Sequence, residues 1–192
     1  LDAVMLTDVG VNYLREHIPG NVRIHCVVTH GGEAPNIVPA FAQSWYYVRA
    51  PDRALVGDVY ERVLNIARGA ALMTGTELEV EFVAGCHDFL SNRTLEDVLL
   101  TNMKCVGAPA FSASDFEFAG ELVRTLPAGA ADDAVRALGK TRDELGGVLC
   151  TDVFESLGGL SAGQVQSVST DVGDVSHVTP TAQITTCCMP LG

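Results

Sequence analysis

VRIHCVVTHGGEAPNIVPAFAQSWYYVRA, residues 22–50, is the stretch that decides the fold. Ile24, Cys26 and Val28 alternate with His25 and Val27, the period-two pattern of a strand with unlike faces. Gly31-Gly32 and Pro35 mark a loop, and a second strand follows over 38–49, rich in aromatics at Trp45, Tyr46 and Tyr47. The segment therefore reads as a hairpin, with Asn36 in an Asx turn and Pro39 at the start of the second strand. Upstream, residues 2–18 read as a helix with Leu1, Met5, Val9 and Tyr13 stacked at four-residue spacing, ended by Pro19-Gly20. Downstream, Leu55, Val59, Val63, Ile66 and Ala70 form the apolar stripe of a helix over 53–73. Glu77, Glu79 and Glu81 then alternate with Leu78, Val80 and Phe82, which predicts a third strand over 77–84 in the same antiparallel sheet. Both apolar stripes need a common partner, so the two helices are expected on one face of that sheet. The order α-β-β-α-β predicts an α+β, ferredoxin-like two-layer unit, which a strand ahead of Leu1 would complete as β-α-β-β-α-β.

The second half has a different texture. Thr94 with Asp97 and Ser114 with Glu117 resemble capping boxes opening helices over 94–106 and 114–125, and Ala130 to Leu138 is a shorter helix between glycines. Residues 145–166 are glycine-rich, and Thr181 to Met189 reads as a strand. Helices and loops without a sheet of their own suggest part of a further domain, so the expected division is 1–91 and 92–192, with the boundary near Ser91. The first helix opens at Leu1 with no Ser, Thr, Asn or Asp cap before it, which reads as a segment of a longer protein.

Composition narrows the function classes. Among 192 residues, 47% are apolar, enough to build a core, and 12 Lys plus Arg stand against 24 Asp plus Glu for a net charge of −12. That balance lacks the basic footprint of a nucleic-acid or anionic-membrane binder, so neither is an expected partner. Apolar runs fall far short of the ~18 residues of a membrane span, and no leader pattern is visible. The six cysteines (26, 86, 105, 150, 187 and 188) then read as reduced, mostly buried thiols of a cytoplasmic protein.

Chemistry-bearing patterns are sparse. His17, His25, His30, His87 and His177 make no H-x-D, H-x-x-H or H-E-x-x-H pair, and no C-x-x-C occurs, so no metal site is expected within the chain. There is no G-x-S-x-G, and Gly31-Gly32 lacks the lysine of a phosphate loop. What stands out is the hairpin. Arg49 ends an apolar, aromatic strand, where a guanidinium suits a carboxylate, Asn36 offers donor and acceptor beside paired glycines, and His30 stands at the same loop. A plain hairpin with no binding role accounts for the same residues.

The motif G-G-x-x-x-N-I-V-P at 31–39, followed by a strand ending Val48-Arg49, resembles the lid, or dimerisation, domain of dinuclear metallopeptidases and amidohydrolases. That family contains aminoacylases, glutamate carboxypeptidase and indole-acetyl-amino-acid hydrolases. The wording at 1–18, 29–43 and 169–192 extends the resemblance over nearly the whole chain. It implies a lid domain lacking its first strand followed by part of a catalytic domain, and a full-length amide hydrolase using two divalent ions, Zn or Mn, on an acyl-glutamate or dipeptide-like substrate. It implies that Asn36 and Arg49 help hold the substrate carboxylate or amide. His30 lies beside that turn, and Asp171 falls in the stretch lining the active-site cleft or caps the loop that follows it. The family's metal ligands fall outside these residues, so the segment alone is expected to be inert and metal-free. The resemblance further implies pairing, either as a homodimer or with an A-type subunit. A free-standing ferredoxin-like interaction module, without catalysis, is the alternative.

Overall fold

The computed structural model describes residues 1–145, 147–155, 169–184 and 190. The chain divides into two compact units, Leu1–Asp88 and Phe89–Gly192. Mixed helices and a two-stranded antiparallel sheet make it an α+β protein.

In the first unit, α1 (Asp2–Leu14) runs into a 3-10 turn (Arg15–His17), followed by β1 (Arg23–His30), β2 (Gln43–Arg49) and α2 (Arg53–Thr74). The core joins Val11 and Leu14 of α1, Val22, Ile24 of β1, and Val59 and Val63 of α2, with Tyr46 and Val48 of β2 packed against it. Both helices thus share one face of the hairpin. Asp52 starts α2 by accepting the Leu55 N–H at 2.8 Å, and Gly75 ends it at φ 64°, a left-handed conformation suited to glycine. Close approach of the helices depends on Gly10: a Cβ there would sit 2.5 Å from Ile66 Cγ2, a methyl on a stiff β-branched side chain.

Several expectations are corrected. The α1 stripe over Met5, Val9 and Tyr13 is not the buried one; these are 53%, 50% and 66% exposed, while Thr7, Val11 and Leu14 face the core. The helix is apolar on two flanks, and the flank holding Gly10 is the one α2 can approach. The second strand starts at Gln43 rather than 38, leaving Val38 91% exposed in the loop, since Pro39 has no N–H for a ladder. Residues 77–84 form no strand, and the sheet has two strands among the described residues rather than three. Alternation defines two faces but supplies no neighbour, and here Phe82 instead sets its ring edge-on to Tyr60, 6.2 Å between centroids.

The second unit holds α3 (Arg93–Val106), α4 (Ala113–Arg124), α5 (Ala130–Ala137) and α6 (Val172–Ser176), and a small apolar cluster of Val135 and Leu145 with Leu138 and Phe154. The caps lie upstream of those expected: Asn92 accepts the Leu95 N–H, and Ser112 with Asp115 forms a reciprocal capping box. An S-x-x-D pair that begins two residues earlier satisfies the first free N–H groups of α4 before Ser114 can. The Ser112 hydrogen bonds hold the Asp115 carboxyl below its ordinary range. Its contribution to folding is therefore complete above the ordinary aspartate pKa and fades as pH falls through the lowered value. Ser112→Ala should cost about 1 kcal/mol and fray α4 first, which hydrogen exchange at its opening turn reads directly. Ser91 and Thr181 make an isolated parallel bridge; the expected strand over 181–189 otherwise runs into 185–189, outside the described residues, as does most of the glycine-rich stretch.

Cys26, Cys86 and Cys105 are exposed and only Cys150 is buried, against the expectation of mostly buried thiols; Cys187 and Cys188 lie outside the described residues. Cys26 engages a carboxylate. Its thiol donates to Asp8 Oδ1 at 2.9 Å, and that hydrogen bond, with partial burial and the Asp8 charge, raises the thiol pKa. Asp8→Asn should therefore lower it and speed Cys26 alkylation severalfold at mildly alkaline pH, measured by mass spectrometry. Among the described residues no helix is long and apolar enough to cross a membrane.

Candidate functional site

Antiparallel register decides which side chains share a face. Arg23 pairs with Arg49, His25 with Tyr47, and Val27 with Trp45. Because Ile24, Tyr46 and Val48 point into the core, these three pairs project from the opposite, outer face. Trp45 and Tyr47 lie on it with ring centroids 5.2 Å apart. A bulge between Val28 and His30 places His30 opposite Gln43, re-aiming it at the loop end of the hairpin. There its ring lies 5.5 Å from that of Phe41, and Thr29 Oγ1 donates to Gln43 Oε1 at 2.9 Å.

Asn36 lies exposed in the loop, in a turn closed by the Ile37 N–H on the Ala34 carbonyl at 3.2 Å. Gly32 allows this loop, with φ 99° and a would-be Cβ only 3.3 Å from Pro39. The structure groups His30 with this loop but does not group Arg49 with it. A hairpin turn joins the end of one strand to the start of the next, so the residue that ends β2 sits opposite Arg23, at the far end. Six strand steps from Gln43 to Arg49 span roughly 20 Å. Arg49 and Asn36, both of which the resemblance implies in substrate binding, thus lie at opposite ends of the hairpin. Asp52, just beyond the strand, spends a carboxylate oxygen on the α2 N-terminus.

Asp171 belongs to the second unit, where it precedes α6 and its backbone carbonyl accepts the Asp174 N–H at 3.1 Å. The Thr170 hydroxyl donates to its carboxylate at 3.3 Å, and that carboxylate caps no backbone N–H of the helix. Nearby, the buried Ser176 hydroxyl accepts the Leu90 N–H at 2.8 Å.

Among the described residues, no group of three or more His, Cys, Asp or Glu side chains could hold a metal ion. These residues therefore do not fit a metal centre. Sequence reading did not set Arg23 and His25 on the face that carries Arg49. Their signal was the strand alternation that sets them opposite Ile24, but their partners emerge only from the register.

Comparison with known proteins shows that the chain is similar to amide and peptide hydrolases. It is 36% identical to a p-aminobenzoyl-glutamate hydrolase subunit of Escherichia coli, over all of this chain and 41% of that protein. It is also 32% identical to the Xaa-Arg dipeptidase of Mus musculus and 29% identical to that of Homo sapiens, each over 56% of this chain and 25% of the relative. The chain thus spans less than half the length of these relatives. No protein-family model matches it.

Proposed function

We propose that this chain is part of a metal-dependent amidohydrolase that cleaves the amide bond of an acyl-glutamate such as p-aminobenzoyl-glutamate. The observation that carries this reading is the 36% identity along the entire chain to a hydrolase named for that substrate. The first unit serves as the lid, or dimerisation, domain, and residues from 92 onward as part of the catalytic domain.

Arg49 takes the substrate carboxylate, while His30 and Asn36, at the other end of the hairpin, line a separate stretch of the substrate site. Asp171 belongs to the catalytic portion. The two divalent ions, Zn or Mn, are held by side chains beyond the described residues, and the chain by itself is inactive. In the cytoplasm the full-length protein pairs with a second copy or with an A-type subunit, as the relative's designation as a subunit suggests. The test is release of p-aminobenzoate by the purified full-length protein supplied with Mn or Zn. Release supports the reading; none under either ion, from a folded protein, refutes it.

A further inference from the structure

We propose that Arg23 recognises the second carboxylate of a dicarboxylic substrate whose first carboxylate is taken by Arg49, making the far end of the hairpin a selector for glutamate. This rests on the reading of Arg49 given above and names a residue that reading does not contain. Arg23 and Arg49 are directly opposed on the outer face of β1 and β2. Directly opposed residues have Cβ atoms about 4.5–5.5 Å apart, and like charges so placed destabilise a sheet. The pairing stands out in a chain with 12 basic residues against 24 acidic ones. A dianion laid across the pair would set one carboxylate on each guanidinium. The α and side-chain carboxylates of glutamate, joined by three carbons, match two guanidiniums one cross-strand step apart. Arg23 donates through a single Nη1 to the Gly20 and Val22 carbonyls. With five N–H donors in a guanidinium, that anchor fixes the group without consuming its capacity for a carboxylate. His25 and Tyr47, the next opposed pair, flank the position. The same charge disfavours a basic side chain at that position.

The test is calorimetric titration of the metal-free full-length protein with p-aminobenzoyl-glutamate and with p-aminobenzoyl-glutamine, whose side-chain amide is neutral. The wild type should prefer the glutamate ligand. Arg23→Gln should weaken that ligand ~10-fold and leave the glutamine ligand unchanged, and Arg23→Lys should keep part of the preference. Arg49→Gln should weaken both. An Arg23→Gln protein that binds both ligands as the wild type does, or loses both equally while melting normally, overturns the proposal. If Arg23→Gln fails to fold, the Arg23→Lys preference decides the matter, and an unchanged preference there overturns the bidentate form argued here. An Arg49→Gln protein unaffected on both ligands overturns the Arg49 assignment, while a glutamate-selective loss in Arg23→Gln still upholds Arg23.

Discussion

Arg49→Ala in the full-length protein should raise KM for an acyl-glutamate ~30-fold or more, with folding intact. The figure follows from the cost of truncating one partner of a bidentate carboxylate pair in a partly desolvated site, about 2 kcal/mol or more, because the substrate charge is left unpaired. Arg49→Lys should recover only part, since an ammonium cannot reproduce the planar fork. The competing account makes Arg49 a surface ion-pair partner of Asp52, worth roughly 0–1 kcal/mol. Unchanged KM in Arg49→Ala, with normal turnover, would decide for the competing account.

The largest stability effect is expected at Val59. It is 0% exposed, packed in the cluster formed by Val11, Leu14, Ile24 and Val63. Val59→Asp places a carboxyl there without a partner, so it must either protonate or draw water into the core. Either outcome costs at least about 3 kcal/mol. Hydrogen exchange should show protection lost together across α1, β1, β2 and α2. Val80→Asp, at a position 47% exposed, should change stability by no more than about 0.5 kcal/mol. Equal effects of the two substitutions would contradict the location of the core.

Helix α2 was legible because its apolar stripe, Leu55 to Ala70, is the face that packs. The hairpin was legible through alternation and paired glycines. The α1 core face was not, because Met5, Val9 and Tyr13 carry as regular a spacing as the face that packs; closeness at Gly10 decides between them. Residues 77–84 misled because a period-two pattern specifies faces and says nothing of ladder partners. At the site, Arg49 was recognisable by residue type, but its neighbours were not. Antiparallel pairing sets it against Arg23, which only the register reveals. The bulge that re-aims His30 is likewise invisible without the register.

The central claim is that the full-length protein acts on an acyl-glutamate amide. Its most direct test is kcat/KM, on one preparation with Mn or Zn, for p-aminobenzoyl-glutamate against a dipeptide ending in arginine. The account predicts clear preference for the glutamate amide, and preference for the arginine dipeptide would contradict it.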